Sequence, residues 1–314
     1  MRFTTEGMPA VLERLRTALE CSDGRIFFDV LNPDLRPDLY DGEVLVHEGT
    51  TYVFRSLKCW LDVAETLACR MGVPSTISDA QLRVQFTTLA ESSSWHTGSK
   101  PSGDTEKYGI QSEFYRIHRF EDPHFVDGLR HVVRHIKLKP GARILILGVN
   151  RGDEIAGLRD LVDEPVRDQL AWVGIDHCAT AIEQARTRFS HLNVRLICGS
   201  VSELESFDVG RFSLVIAINT LHSPTLDGQA ICRRIVKSHL EPHGAMTLGF
   251  PNCRYQGANI VYGARVRNYL TPEYSLLFRQ VNGFRRYLNQ QGFRTTLTGK
   301  YTLQLAAMRS GNKT

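Results

Sequence analysis

Arg143-Ile144-Leu145-Ile146-Leu147-Gly148-Val149-Asn150-Arg151-Gly152-Asp153-Glu154 is a run of apolar residues that breaks into a turn with two glycines and ends in two acids. An unbroken apolar run of this length fits a strand covered on both faces, and the glycine-containing turn after it opens a helix. Gly148 and Gly152 let the backbone approach a ligand closely, because no Cβ stands in the way. A second stretch sharpens the reading. Trp172-Val173-Gly174-Ile175-Asp176 ends in a carboxylate that can accept two hydroxyl hydrogen bonds from a ribose. Turn and acid together specify a nucleoside-type ligand.

Around these two strands, apolar β-rich runs alternate with helical patterns. Strands are expected at 143–147, 171–175, 194–198, 214–218 and 245–250, with helices at 180–190 and 229–239 between them. That alternation predicts right-handed crossovers and a mostly parallel sheet. Asp122-Pro123 supplies a cap and a proline at the first helical position, and Val126, Leu129, Val132, Val133 and Ile136 mark the apolar face of a helix leading into the first of these strands. The chain then closes with a helix at 276–291, a strand at 293–298, a Gly299-Lys300 turn and a strand at 301–308.

Upstream, the pattern differs. Helical spacing is expected at 9–21, a glycine-turn hairpin at 43–55, and helices at 56–71 and 78–89. Residues 1–92 therefore read as an N-terminal α+β accessory unit. Residues 93–121 read as a linker and a segment covering cofactor or substrate, since their first part is rich in Ser, Gly and Pro. Residues 122–314 form the main domain.

This ordered set resembles class I S-adenosylmethionine-dependent methyltransferases over residues 123–310. The glycine turn resembles the family's first motif, Asp176 its ribose-binding acid, and Cys198-Gly199-Ser200-Val201 the end of its third strand beside the adenine. Leu214 to His222 resembles the fourth strand with its active-site end, and Leu240-Glu241-Pro242-His243-Gly244 the turn into the fifth. The resemblance implies a Rossmann-like seven-stranded sheet of order 3-2-1-4-5-7-6 with strand 7 antiparallel, S-adenosylmethionine as cofactor and S-adenosylhomocysteine as product. It further implies cofactor contacts from Gly148, Asn150, Gly152, Asp153, Glu154, Asp176, His177, Ser200, Val201, Asn219 and Leu221. Three positions depart from the family: Ile146 replaces its first-strand acid, Asn150 its central glycine, and Ser200 a frequent acid. Asp153 or Glu154 could stand in for the missing strand carboxylate near the cofactor's amino group. A nicotinamide enzyme is the alternative, but its glycine fingerprint would need glycine where Asn150 and Asp153 stand. A non-catalytic binding or scaffold protein of the same fold is another, because fold does not guarantee chemistry.

In open α/β sheets the ligand crevice lies beyond the carboxyl ends of the strands, so Asn219 and His222 should face the reaction. His222 is the candidate general base, an imidazole with an ordinary pKa of ~6.5 being suited to proton transfer near neutrality. Arg254, Tyr255, Tyr262 and Arg265 lie in an insertion dense in tyrosine and arginine, and Tyr108, Tyr115 and Arg116 in a second such patch. Arginine forks and tyrosine faces suit an anionic or aromatic acceptor. His131 and His135 stand one helical turn apart without a third ligand nearby, so no metal is expected.

Charge is distributed unevenly. Residues 251–314 hold ten Lys/Arg against the single acid Glu273, whereas the first 250 residues hold 28 bases and 33 acids. A basic last third favours an anionic substrate, either a small molecule or, as the alternative, RNA such as tRNA. Asn219-Thr220-Leu221-His222 lacks the signature of enzymes that methylate exocyclic base amines, which sets DNA adenine aside. The seven cysteines are scattered with no C-x-x-C spacing, which argues against a disulfide framework or zinc cluster. No leader or membrane-length apolar run is visible, so a cytoplasmic protein, with homo-oligomerisation open, is expected.

Overall fold

The structure, a computed structural model, describes residues 1–89, 108–223, 225–256, 258–262 and 273–309; side chains at 254, 256, 262 and 273–278 fall outside that description. The chain divides into two units, Met1–Thr97 with Tyr255–Val261, and Gly98–Arg254 with Tyr262–Thr314. The expected Ser/Gly/Pro linker begins outside the described residues.

The first unit runs α1 (Met8–Glu20), β1 (Arg25–Leu31), β2 (Val44–His47), β3 (Thr50–Val53), α2 (Leu57–Thr66), β4 (Cys69–Met71), β5 (Ser75–Ser78) and β6 (Gln81–Thr88). β6 pairs antiparallel with β1, β4 and β5, and β2 pairs with β3 in the expected hairpin. The helix expected at 78–89 is instead β6. Leu82, Val84 and Phe86 alternate with polar residues, and this period of two places Val84 and Phe86 in a core with Phe28, Trp60 and Leu15. Tertiary pairing with β1 decided between two readings of a short apolar run.

The second unit carries the large sheet. Its elements are α3 (Pro123–Ile136), β7 (Arg143–Leu147), α4 (Asp153–Arg159), α5 (Glu164–Arg167), β8 (Ala171–Asp176), α6 (Ala179–Arg188), β9 (Val194–Cys198), β10 (Phe212–Ile218), α7 (Gly228–Arg234) and β11 (Leu240–Pro251). The hairpin β12 (Cys253–Gln256) and β13 (Asn259–Tyr262), most of which is grouped with the first unit, follows along the chain, and the second unit resumes with α8 (Glu273–Gln290), β14 (Phe293–Thr298) and β15 (Thr302–Arg309). The sheet order is β14-β15-β11-β10-β7-β8-β9. β7 to β11 run parallel, while β15 enters antiparallel between β11 and β14. This is the order 3-2-1-4-5-7-6 that the resemblance implied.

Both faces of the sheet are covered, as the unbroken apolar strands require. Leu145, Leu147, Val215 and Leu248 point to one core with Ile231, Phe284 and Leu288, and Ile144, Ile146 and Ile216 to the other with Leu129, Ile155 and Ile182. Asp122 Oδ1 caps α3 by accepting from the N–H groups of His124 and Phe125 at 3.0 and 3.3 Å. Such a cap contributes about 1 kcal/mol.

Candidate cofactor cleft

The turn after β7 is built from backbone that few residues tolerate. Gly148, Asn150 and Gly152 all have positive φ, at 72°, 43° and 78°. Asn is the side-chain-bearing residue that visits this region most readily, which explains its place at the family's glycine position. At Gly148 space is also lacking, since a Cβ would lie 2.3 Å from Thr220 Oγ1. That hydroxyl donates to Leu147 O at 2.9 Å, holding the ends of β7 and β10 together.

Asp176 is buried and fixed from two sides. Its Oδ2 accepts from the N–H of Asn150 at 2.8 Å and its Oδ1 from the N–H of Cys178 at 2.9 Å. A carboxylate offers about four lone-pair sites, so two remain for a ligand's hydroxyls. His177 beside it is half exposed and meets the Tyr108 ring edge to face at 6.1 Å.

Residues 108–121 lie over the turn. Asn150 Nδ2 donates to Tyr108 O at 2.8 Å, and Arg151 Nη1 to Tyr115 O at 2.7 Å. Arg151 also sits over the Tyr115 ring and bonds His118. Phe120 packs where a Cβ on Gly157 of α4 would stand, at 1.9 Å. Tyr108 and Tyr115 thus cover the turn through their backbone carbonyls and rings. Arg116, expected to face substrate, pairs on the surface with Glu113.

A cleft of about 460 Å³, including its open mouth, lies beyond the carboxyl ends of β7 and β10. Gly148, Asn150, Asp153, Glu154 and Asn219 line it, together with Phe114, Ile117 and Arg119 from the covering segment. The two acids differ. Asp153 accepts from Arg151 and Arg188, each at 2.9 Å, so its charge is matched within the protein. Glu154 is buried, and desolvation pushes its carboxyl up to about 7, aided by nearby Asp153 and Asp176 and opposed by Arg119. No ion pair joins Glu154 to any described residue.

Asn219, ending β10, has φ 54° and a buried Oδ1 without a hydrogen-bond partner among the described residues. A strained residue with an orphaned acceptor in a cleft marks a ligand site. His222 is held neutral, its pKa lowered to about 4 by burial, and its Nδ1 has no partner among the described residues. Leu221 and Val201 are buried in the same core, and Ser200 caps the short helix at Val201–Phe207 by accepting from Ser202 N.

Residues 144–244 match the methyltransferase domain family. Over those residues the chain is similar to a methyltransferase domain, and its sheet has the strand order expected from the resemblance to class I S-adenosylmethionine-dependent methyltransferases. No curated protein matches the chain in sequence. Among solved structures it is similar to magnesium protoporphyrin IX methyltransferase from Synechocystis PCC 6803 with bound S-adenosylmethionine, at 18% identity and TM-score 0.40, over 68% of this chain and 87% of that one. A methyltransferase from Aquifex aeolicus is similar at 16% identity and TM-score 0.43, over 62% and 98%. One from Geobacter sulfurreducens in complex with S-adenosylhomocysteine is similar at 21% identity and TM-score 0.40, over 58% and 68%.

The cleft and the acid beside it offer an adenosyl ligand a turn of positive-φ backbone, a fixed carboxylate at the end of β8 and the unpartnered Asn219 Oδ1. Arg119, Arg151 and Thr220 were not singled out by sequence. Their types and spacing carry no signal, and only the chain's return across the turn brings them to the site. Of the remaining expected substrate residues, Tyr255 belongs to the first unit, and Arg265 lies outside the described residues. Arg254 and Tyr262 stand on β12 and β13, with side chains outside the description.

Proposed function

We propose that this methyltransferase alkylates an O or N nucleophile of a small anionic or aromatic molecule. The bound cofactor supplies an electrophilic methyl group on a sulfonium. The chain's residues supply position: Asp176 and Asn150 fix the turn, Asn219 offers an acceptor at the end of β10, and residues 108–121 shield the cleft from water. The observation that carries the reading is the convergence of Gly148, Glu154 and Asn219 on one cleft at the carboxyl end of the sheet.

His222 is in the proton-accepting form at neutral pH but is a weak base. Most of the rate enhancement is therefore assigned to alignment, which can supply several kcal/mol without a strong base. The basic last third keeps RNA as the second reading.

Calorimetric titration with S-adenosylmethionine, S-adenosylhomocysteine and NAD(H) tests the cofactor, and an acceptor screen of anionic metabolites beside RNA tests the substrate. Binding of the two adenosyl ligands with methylation of a metabolite is expected. NAD(H) binding in their place would overturn the reading. Methylation of RNA alone would replace the small-molecule substrate, and adenosyl binding without transfer to any acceptor would favour a scaffold.

A further inference from the structure

In the first unit, the period of two along the strands decides which side chains leave the core. In β1, Ile26, Phe28 and Val30 pack with Val11 and Leu15 of α1 and Trp60 of α2, so Arg25, Phe27 and Asp29 point the other way. In β6, Val84 and Phe86 enter the same core, and Arg83, Gln85 and Thr87 take the outer face, joined by the exposed Arg70 of β4. Both helices pack on the inner face. Phe27 is 51% exposed on the outer one.

Strand register arranges this face in rows. Thr87 pairs with Arg25 on one side and Arg70 on the other, so the two arginine backbones stand roughly 10 Å apart, two interstrand spacings. Phe27 pairs with Gln85 in the next row, where the N–H of Gly72 donates to Gln85 O at 2.9 Å. Gln85 Nε2 donates to Thr87 Oγ1 at 3.2 Å, and its Oε1, unpartnered among the described residues, lies on the side where Gly72 has no side chain. In the third row Arg83 pairs with Asp29. Those two charges cancel, while Arg25 and Arg70 have no ion pair among the described residues.

An interface with another protein wants an apolar centre, and Phe27 is the one large apolar side chain in these rows. An exposed ring flanked by unpaired guanidinium groups suits a nucleic-acid strand instead, since a base can stack on the ring while phosphates meet the arginines. In a duplex the bases stack on one another and are not free to lie on a side chain, so the strand must be single. Gln85 Oε1 and the Thr87 hydroxyl, beside the ring, offer acceptors to a ribose 2′-hydroxyl, which DNA lacks. We propose that this sheet face binds single-stranded RNA, one base stacking on Phe27 and neighbouring phosphates held by Arg25 and Arg70. Such binding belongs to the first unit alone and holds whichever acceptor is methylated.

The test is fluorescence anisotropy of the full chain with a labelled RNA of about eight nucleotides, beside DNA of the same sequence and the RNA annealed to its complement. Wild type should bind the single RNA strand more tightly than either. Phe27→Ala should weaken it by roughly tenfold, and Phe27→Trp, which keeps a stacking face, should preserve it. Replacing Arg25 and Arg70 together by Gln should weaken all sequences alike and flatten the log–log salt dependence by roughly 0.7 for each charge removed. Melting temperature should hold in every variant, because these side chains lie outside the core. Absence of binding at low salt, or duplex or DNA bound as tightly as the single RNA strand, would overturn the proposal. RNA binding indifferent to Phe27→Ala would overturn it too and move the site to the basic last third. Self-association of wild type that disappears in Phe27→Ala, without RNA binding, would assign the face to a second copy of the chain.

Discussion

The N–H of Asn150 donates to Oδ2 of Asp176 at 2.8 Å, so the acid at the end of β8 holds the turn after β7 in place. Asp176 therefore tethers the turn, and under the proposed function it also meets the ligand; substitutions should separate these two roles. Asp176→Ala removes both and should abolish measurable adenosyl binding. Asp176→Asn is not conservative here, because both carboxylate oxygens accept from backbone N–H groups and an amide would turn an N–H toward one of them. We expect Asp176→Asn to lower stability by about 1–3 kcal/mol in denaturant melts as well as weakening the ligand.

Arg151 ties the covering segment to the turn through Tyr115 O and the His118 ring, while Asp153 keeps Arg188 as a second partner. In Arg151→Leu, helix α4 should persist and residues 108–121 should loosen. Faster amide exchange confined to that segment, with weaker binding of adenosyl ligand, is the expected result. Exchange unchanged there would show that ring packing alone holds it.

Gly157 has no room for a methyl, since Phe120 occupies the place. In an exposed helix, Gly→Ala stabilises by roughly 1 kcal/mol. Here Gly157→Ala should instead displace Phe120 from its edge-to-face contact with Phe125, lowering the melting temperature and cofactor affinity together.

At Asn219 the positive φ and the orphaned Oδ1 can be tested apart. Asn219→Gly relaxes the backbone but removes the acceptor, so thermal stability should hold or rise slightly while adenosyl affinity falls by about tenfold. Unchanged affinity would show that Oδ1 meets only solvent.

Two buried groups give stability opposite pH dependences. Glu154 has its carboxyl raised in the fold, so it binds more protons folded than unfolded between the ordinary carboxylate range and about 7, and stability falls as pH rises through that window. His222 is depressed to about 4, so the unfolded chain binds more protons between there and about 6.5, and stability falls as pH drops through that window. Each contributes up to about 3 kcal/mol. Denaturant melts at pH 4.5 to 8 should show Glu154→Gln losing the first slope and His222→Asn losing the second.

The sequence by itself determined the large sheet, because strands apolar on both sides alternating with amphipathic helices can be buried in few other ways. It determined the positive-φ turn through Gly148 and Gly152, and it marked Asp176 through its place at a strand end. Local pattern could not place β6, where a short apolar run satisfies two periodicities until β1 pairs with it. Nor could it distinguish Asp153 from Glu154, adjacent acids of like chemistry. Tertiary structure gives Asp153 two arginines and leaves Glu154 buried beside Arg119, from a segment 35 residues earlier in the chain. Charge matching and desolvation depend on what the folded chain brings alongside a group, and that information is spread over the whole sequence rather than held at the residue itself.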